Sequence, residues 1–437
     1  MIKVALATLG CKVNQYESAG IIEMMDKSKC ISVPFNAKAD CYVINTCTVT
    51  ARTDYQSRNL IRRAQRANPD ARIIVTGCYA QVAPHLLAEI PGVTLVVGNA
   101  EKEMMRRFIE DWPEIGAQIF VSDIAKGSKF SGPRPSKFTG HTRAFLKIQD
   151  GCDSFCSYCI VPYARGPSRS LGEADVTERI KMLAGCGYKE IVLTGIHLGA
   201  YGQDLAPPSK LYEILKTVER DKTVDRIRLS SIEITEISDD MIGIISLGTG
   251  MCRHLHIPLQ SGDDGILSAM GRNYDRAFFR NRVHGIKEAV PDIAVGIDVM
   301  AGFPGEGETE FQNTVSLIAE LPVAYLHVFP YSERPGTVAS RLPGKVNEAV
   351  KKRRCEILRK LGQEKRTAFA EKMIGKELPV LAEDKKDRQT GLLTGLSDNY
   401  IPVVIEQGKS PLINCVLRVR PDYSMDGKLH GRITGHA

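Results

Sequence analysis

The chain has 437 residues, twelve cysteines and a formal net charge of +7 at pH 7, and 43% of its residues are hydrophobic. This length exceeds what one hydrophobic core usually supports, so we expect two or three domains, and the apolar content excludes a disordered or fibrous protein. The modest charge allows a polyanionic partner without requiring one. Because the chain begins with a core-like strand and lacks a run of about 18 apolar residues, we expect a cytoplasmic protein without a membrane partner.

Residues 1–100 repeat a pattern in which a β-branched apolar run is followed by a turn residue and a helical segment. The runs are IKVALATLG, CYVINTC, ARIIVTGC and TLVVGN, and they predict a Rossmann-like parallel α/β sheet. The first three runs lead into Cys11, Cys47 and Cys78. Since the carboxyl ends of parallel strands meet at one edge of an open sheet, these thiols form either a shared ligand site or three separately buried cysteines.

The pattern changes three times after this first α/β domain. Residues 101–142 contain the stretch GSKFSGPRPSKFTG and are predicted as a linker. Residues 143–342 contain six strand-like runs with helical segments between them, which predicts a central partial (β/α)6 barrel. Residues 343–373 predict an amphipathic helix, and the short alternating strands of residues 374–437 predict a small β-barrel.

The segment DGCDSFCSYCIVPYARG follows the first strand of the predicted central barrel and carries Cys152, Cys156 and Cys159. Metal ligation is favoured over disulfides because the cytosol keeps ordinary thiols reduced. Three thiolates in one short loop would bind three irons of a cubane cluster and leave the fourth iron open. A zinc site is the alternative, but zinc usually takes four ligands, and the sequence offers no second Cys-x-x-Cys or nearby His pair.

This spacing, the aromatic Tyr158 before the last cysteine and the position after the first strand resemble the radical S-adenosylmethionine superfamily. The resemblance implies that S-adenosylmethionine chelates the open iron. It also implies that the three cysteines are catalytic, since electron transfer from their cluster releases a 5′-deoxyadenosyl radical from this cofactor. Residues at the following strand ends are candidates to bind this cofactor, because such side chains usually face a barrel's mouth. These candidates are Gly195, His197, Glu233, Gln260 and Asp298. Each of them could instead be a turn glycine or a polar residue of the core.

Longer segments resemble the methylthiotransferase family: TLGCKVNQYES, INTCTV, VTGCYAQ and DGCDSFCSYCIVPYARGPSRS. The resemblance implies that Cys11, Cys47 and Cys78 hold a second [4Fe-4S] cluster, which presents the sulfur of the methylthio group. It also implies that the terminal barrel is of the RNA-binding TRAM type. The TLGCKVNQYES motif most resembles that of the branch that acts on carbon 2 of N6-threonylcarbamoyladenosine at position 37 of tRNA. The alternatives are the isopentenyladenosine branch, the branch acting on a ribosomal protein, and a non-catalytic iron-sulfur RNA-binding protein.

The partners expected for such an enzyme are a tRNA anticodon stem-loop and a reducing electron donor, and we expect a monomer. A threonylcarbamoyl group carries a carboxylate, and Arg165 and Arg169, just after the cluster loop, are cofactor- or substrate-binding candidates that could instead brace the loop. Two basic runs could follow RNA phosphates or could be ordinary solvated helix faces. They are Arg58, Arg62, Arg63 and Arg66 in the first domain, and Lys351, Lys352, Arg353 and Arg354 before the terminal barrel.

Overall fold

The structure is a computed structural model that describes residues 1–111, 118–127, 129–406 and 412–436. Its strands form three separate architectures in chain order: an open parallel sheet, a partial parallel barrel and a closed antiparallel-rich barrel. The α/β fold class and the three predicted architectures are therefore confirmed. No helix in the described ranges is both long enough and apolar enough to span a membrane.

The N-terminal sheet has six parallel strands in the order β2-β1-β3-β4-β5-β6. Strand β3 (Cys41–Thr46), in the middle of the sheet, is buried along its whole length, as expected for an apolar run covered by helices on both faces. One strand, residues 118–120, lies inside the segment predicted as a linker and extends the sheet edge. The strands are β1 (Ile2–Thr8), β2 (Cys30–Val33), β3 (Cys41–Thr46), β4 (Arg72–Gly77), β5 (Val93–Val97) and β6 (Gln118–Phe120). The helices are α1 (Lys12–Met24), α2 (Ala51–Ala67), α3 (Cys78–Val82), α4 (Pro84–Ala88) and α5 (Met105–Glu110).

The central region is a partial barrel made of two three-stranded parallel sheets, β11-β10-β7 and β12-β13-β14. Two isolated bridges, Ile227 to Met251 and Ser231 to His256, join the sheets along β11 and β12. The strands are β7 (Ala144–Lys147), β8 (Gln149–Asp150), β9 (Arg169–Ser170), β10 (Glu190–Thr194), β11 (Arg226–Leu229), β12 (His254–Gln260), β13 (Ala294–Ala301) and β14 (Tyr325–Pro330). The helices are α6 (Val161–Arg165), α7 (Glu173–Gly185), α8 (Leu211–Asp221), α9 (Asp239–Leu247), α10 (Asp264–Ala269), α11 (Arg276–Ala289) and α12 (Glu308–Glu320).

The chain ends in a long helix and a closed five-stranded barrel, whose strand order is β15-β16-β17-β19-β18. The helix α13 (Glu348–Glu371) packs on β14 and leads into the strands β15 (Leu378–Lys386), β16 (Leu393–Ser397), β17 (Pro402–Ile405), β18 (Val416–Met425) and β19 (Lys428–His436). This barrel docks on the central one, because buried Arg226 and Arg228 donate to backbone carbonyls of Leu396, Ser397 and Asp398. Its assignment to the TRAM type and the limits of the domains stay predictions.

Candidate functional site

The loop with Cys152, Cys156 and Cys159 leaves the carboxyl end of the first barrel strand through Gly151. This glycine has a φ of +77°, and a Cβ added to it would lie 1.9 Å from the carbonyl oxygen of Pro167, so only glycine fits. Backbone hydrogen bonds then shape the loop, from Cys152 to Gly166 at 3.0 Å and from Cys159 to Cys156 at 2.9 Å. The three sulfurs are thus presented by a loop whose backbone is held at both ends.

Two of these thiols have polar partners. The Sγ of Cys152 lies 3.6 Å from Nδ1 of His197, and the Sγ of Cys156 accepts from Arg272 at 3.5 Å. Burial opposes ionisation of Cys152, but the contacts with His197 and Ser154 outweigh it and lower the pKa of that thiol. Burial raises the pKa of Cys159 to about 12. Thiolates are the form that binds iron, so binding at Cys159 requires a cation to offset its burial.

A cavity of about 210 Å³ opens beside this loop and contains two of the predicted cofactor residues, His197 and Glu233. Nε2 of His197 lies 2.7 Å from a carboxylate oxygen of Glu236, and despite burial the contacts with Cys152 and Glu236 raise the pKa of the imidazole to about 10. Glu233 forms an ion pair with Arg272. A carboxylate, an imidazole and a guanidinium therefore converge on a space next to the cluster loop, which suits a polar cofactor.

The other predicted cofactor residues lie in three different places. Gly195 packs closely on Gln149, whose Oε1 would be 2.8 Å from an added Cβ. Gln260 ends β12 at a register shift and has a φ of +65°, so the strand turns sharply there. Asp298 lies inside β13 rather than at its end and pairs with two histidines of the neighbouring strands. Their contact with the cofactor stays a prediction.

Cys11, Cys47 and Cys78 come together at the carboxyl edge of the N-terminal sheet. Cys11 precedes α1, Cys47 follows β3, and Cys78 begins α3 directly after β4. Gly10 has a φ of +98°, and a Cβ there would lie 2.7 Å from Cβ of Cys47, so a glycine is required for this approach. Burial and the neighbouring charge of Cys78 raise the pKa of Cys47 to about 12.

The number of thiols in each triad bears on the choice between a cluster and a zinc ion. A structural zinc site usually takes four ligands, whereas each triad offers three thiols. Three thiolates bind three irons of a cubane cluster and leave the fourth iron open. Among the described residues, His256, Asp298 and His327 form a separate group of metal-ligand candidates, whose donor atoms lie within 4.8 Å of one another.

Arg165, at the end of the helix that follows the second cysteine loop, contacts Cys78 of the first triad and belongs to a buried ion-pair network. Its Nε donates to Sγ of Cys78 at 3.3 Å, and its terminal nitrogens contact Glu17 at 2.5 Å and Asp150 at 3.4 Å. Lys147 pairs with the same two carboxylates, at 3.1 and 2.9 Å. Arg169 lies next to this network and donates to the carbonyl oxygen of Arg165 at 2.8 Å. The structure thus places both arginines at the interface between the first two domains, where their contacts brace the fold.

The network was not predicted from the sequence beyond the two arginines. Glu17 belongs to the TLGCKVNQYES segment but carries no local sign of its partners, which lie 85, 130 and 148 residues further along the chain. Opposite charges attract each other more strongly in the protein interior than in water, and Glu17 and its cationic partners are all buried. Accordingly, these contacts hold the pKa of Glu17 well below its ordinary value, although burial alone would raise it.

A second polar group faces the lumen of the central barrel. Asp298 accepts from His256 at 2.8 Å and lies 3.4 Å from Nδ1 of His327, and the hydroxyl of Tyr325 bonds Nδ1 of His256 at 3.1 Å. The two imidazoles hold the pKa of the Asp298 carboxyl below its usual range despite burial. Three neighbouring strands supply this group, which could accept a polar ligand or a divalent cation.

The two basic runs differ in exposure. Arg62, Arg63 and Arg66 are exposed on α2, whereas Arg58 is half-buried and donates to the hydroxyl of Tyr79 at 2.8 Å. In the second run Lys352 and Arg353 are exposed. The remaining two members, Lys351 and Arg354, are buried, and Arg354 pairs with Glu306 at 2.8 Å. Only the exposed members can meet a polyanion.

Two family models match the chain. The model described as uncharacterized protein family UPF0004 matches residues 3–98, and the model of the radical SAM superfamily matches residues 146–318. These ranges contain the first and second cysteine triads, respectively.

Curated relatives match almost the whole chain. It is 42% identical over 425 residues to the threonylcarbamoyladenosine tRNA methylthiotransferase MtaB of Bacillus subtilis, covering 96% of this chain and 94% of the relative. Identity to the protein of the same name from Aquifex aeolicus is 40%, covering 92% and 96%. A tRNA-2-methylthio-N(6)-dimethylallyladenosine synthase from Pelotomaculum thermopropionicum is 32% identical, covering 96% and 95%.

Solved structures share the fold at low identity. The radical S-adenosylmethionine methyltransferase TsrM from Kitasatospora setae, with cobalamin and a [4Fe-4S] cluster bound, aligns with a TM-score of 0.55 at 14% identity, covering 75% of this chain and 74% of that one. The same enzyme with tryptophan and a SAM analogue aligns with a TM-score of 0.57 at 15% identity, covering 90% and 80%. At these identities the likeness establishes the architecture alone.

Proposed function

Because the chain belongs to the family of threonylcarbamoyladenosine tRNA methylthiotransferases, we propose that it adds a methylthio group to carbon 2 of N6-threonylcarbamoyladenosine at position 37 of tRNA. It is a radical SAM enzyme that uses S-adenosylmethionine and [4Fe-4S] clusters. The observation that carries the proposal is the short link between the two cysteine triads. Helix α6 begins two residues after Cys159 and ends at Arg165, which donates to Cys78. Five helical residues span only about 7.5 Å.

Cys152, Cys156 and Cys159 are proposed to hold the cluster that leaves one iron open for S-adenosylmethionine. When bound, the cluster and S-adenosylmethionine together supply a 5′-deoxyadenosyl radical. The residues of the chain then enclose and orient it: His197 and Glu233 line the adjoining cavity, and Arg272 fixes Glu233 while donating to Cys156. A primary carbon radical has to be kept from water and protein, so enclosure is part of the chemistry.

Cys11, Cys47 and Cys78 are proposed to hold the second cluster, which presents sulfur to the substrate base. Gly10 brings the first two loops together, and Arg165 donates a hydrogen bond to the Sγ of Cys78 at 3.3 Å. Cys11 is the exposed residue of the triad, although burial of its thiol raises the pKa of that group.

The expected RNA partner is an anticodon stem-loop, whose bases can be unstacked to enter a site. The exposed arginines of α2 and the terminal barrel are proposed to contact its phosphates and bases, with the barrel acting as a TRAM-type module. A reducing electron donor, a monomeric state and a cytoplasmic location complete the proposal. The isopentenyladenosine alternative is less supported, since the relatives named dimethylallyladenosine synthase are 30–32% identical whereas the MtaB relatives are 33–42% identical.

Reconstituted protein tests the proposal directly. Anaerobic protein with both clusters, a reductant and S-adenosylmethionine should convert an RNA hairpin that carries threonylcarbamoyladenosine into its 2-methylthio derivative. A matched hairpin with isopentenyladenosine should react poorly. Release of 5′-deoxyadenosine without any methylthiolated hairpin would contradict the substrate, and no 5′-deoxyadenosine at all would favour a non-catalytic RNA-binding protein.

A further inference from the structure

Two histidines and an aspartate from three neighbouring strands come together on the lumen side of the central barrel. Asp298 lies in β13, and the strand register pairs it with His327 of β14. His256 of β12 is paired with Gly296, two residues before Asp298, so the three side chains lie on one face of the sheet. The hydrogen-bonded backbone of this sheet therefore fixes the group, and its members do not depend on a loop for their position.

The donor atoms of this group have the separations of ligands around one small cation. Nε2 of His256 lies 2.8 Å from Oδ1 of Asp298, and Nδ1 of His327 lies 3.4 Å from the same oxygen. One donor atom of each residue lies within 4.8 Å of the other two. Ligands about 2.1 Å from a metal ion stand about 3.0 Å apart at right angles and about 3.4 Å apart at tetrahedral angles. Small side-chain rotations are therefore enough to place an ion between the three donors.

The carboxylate of this group needs a positive partner. Asp298 is largely buried, and in the described part of the chain its ion pairs are with the two imidazoles and with no lysine or arginine. A buried carboxylate is costly unless a cation balances it. Protons on the imidazoles or a metal ion can both supply that charge. Two imidazole nitrogens and one carboxylate oxygen are a donor set that suits divalent first-row transition metals such as Mn²⁺, Fe²⁺ and Zn²⁺.

A tyrosine holds one of the histidines in the orientation of a metal ligand. The hydroxyl of Tyr325 lies 3.1 Å from Nδ1 of His256 and 2.7 Å from Nε2 of His254. The hydroxyl can accept from the Nδ1–H group of His256 while it donates to His254, and this arrangement leaves Nε2 of His256 facing Asp298. Histidines that bind metals usually donate their other ring N–H to a fixed partner, which sets the tautomer and the ring orientation. Tyr325 fits the part of that partner.

The group is accessible on the side of His327. This side chain is 51% exposed, and it lines a cavity of about 550 Å³ between the central strands and the C-terminal barrel. Tyr325 and Tyr400 line the same cavity. Pockets for small molecules usually have about 300–1,000 Å³, so the space holds water and can also receive a ligand. An ion can therefore enter from the cavity, and an oxygen atom from there can complete its coordination.

We propose that His256, Asp298 and His327 bind a divalent first-row transition metal ion through two imidazole nitrogens and one carboxylate oxygen. The site is separate from both cysteine triads and has a different donor set. It gives Asp298 a role other than the cofactor contact expected from the sequence. Three protein ligands leave coordination positions open, so the ion can orient an oxygen atom of water or of a ligand in the cavity.

Binding of Mn²⁺ to the reconstituted enzyme tests this site. Loosely bound iron is first removed with citrate and gel filtration, and the anaerobic protein with oxidised clusters is then titrated with Mn²⁺. The six-line electron paramagnetic resonance signal of the free ion at room temperature gives the bound fraction. Wild type should bind a Mn²⁺ ion that Zn²⁺ displaces, because Zn²⁺ binds such donors more tightly. Pulsed spectra of the bound ion should show coupling to imidazole nitrogen.

Three variants connect this binding to the proposed ligands. His327→Ala removes a half-exposed ligand and should weaken Mn²⁺ binding by about 100-fold or more, since even a lost supporting partner costs about 10- to 100-fold. Tyr325→Phe removes such a partner of His256, so it should weaken binding by about 10-fold and keep the nitrogen coupling. His85→Ala, which removes an exposed histidine of α4, is the matched control and should bind Mn²⁺ as wild type does.

Several outcomes would overturn the inference. A wild-type enzyme that takes up no Mn²⁺, or whose bound Mn²⁺ shows no nitrogen coupling, would do so without any variant. Equal Mn²⁺ affinity of wild type and His327→Ala would show that the ion binds elsewhere. In each case the three side chains would form a hydrogen-bonded group only. The measurement uses no RNA, so its result does not depend on the substrate proposed above.

Discussion

Replacing Glu17 with glutamine tests whether the buried ion-pair network holds the first two domains together. Glu17 is 2% exposed and pairs with Lys102, with Lys147 at 3.1 Å and with Arg165 at 2.5 Å. The neutral amide leaves Asp150 as the carboxylate partner of Lys147 and Arg165, and it removes the ion pair of Lys102. Removing one partner of a buried pair costs about 3–5 kcal/mol. With a urea m-value of about 3 kcal/mol per M, the unfolding midpoint should fall by roughly 1 M or more.

The pH dependence of this loss follows from the depressed pKa of Glu17 in the fold. A carboxylate whose pKa is lowered by folding stabilises the protein above its unfolded value, about 4.3, and loses that contribution as the pH falls through the folded value. Urea unfolding of wild type and Glu17→Gln should therefore differ by the same amount at pH 8 and pH 6. The difference should shrink below about pH 4.

The matched control is Asp221→Asn, which removes the exposed pair with Arg220 and should leave the urea midpoint close to that of wild type. Equal midpoints for Glu17→Gln and wild type would refute the structural role of the network. So would a stability difference that grows as the pH is lowered.

Three further predictions concern the clusters, the RNA and the terminal barrel. Cys156→Ala should abolish 5′-deoxyadenosine formation, whereas Cys47→Ala should retain it and lose methylthiolation; equal loss of both in a liquid-chromatography assay would contradict the division between the triads. Replacing Arg62, Arg63 and Arg66 with glutamine should weaken tRNA binding uniformly across sequences and reduce the slope of log affinity against log salt by about 1 per lost phosphate contact. An unchanged salt slope would exclude this helix face. Arg228→Met breaks a buried pair with Glu190 and two hydrogen bonds to the terminal barrel, so residues 374–437 should become more sensitive to limited proteolysis than in Arg432→Gln, which alters an exposed contact. Identical cleavage of the two variants would show that Arg228 does not dock the barrel.

Local sequence patterns predicted most of the architecture. Buried strands could be predicted because apolar runs bounded by turn residues mark them along the chain. The cluster loop could be predicted because the spacing of its cysteines is local. The short strand β6 was not predicted, because its three residues, QIF, lie in a segment dominated by turn residues.

Long-range electrostatics could not be predicted in the same way. Arg165 reads locally as a free cation after the cluster loop, yet its guanidinium is occupied by carboxylates from two domains. Lys351 and Arg354 read as part of an exposed basic run, yet both are buried against the barrel. A charged residue's role depends on which partner the fold brings to it, and that partner is distant in sequence.

The most direct test of the central claim is the nucleoside content of tRNA from cells that lack the gene. After digestion, mass spectrometry should find no 2-methylthio-N6-threonylcarbamoyladenosine and an accumulation of the unthiolated parent, and wild-type protein, but not Cys156→Ala, should restore the modified nucleoside. Persistence of that nucleoside in the deletion strain, with loss of the isopentenyl analogue or of a ribosomal protein modification instead, would contradict the substrate proposed here.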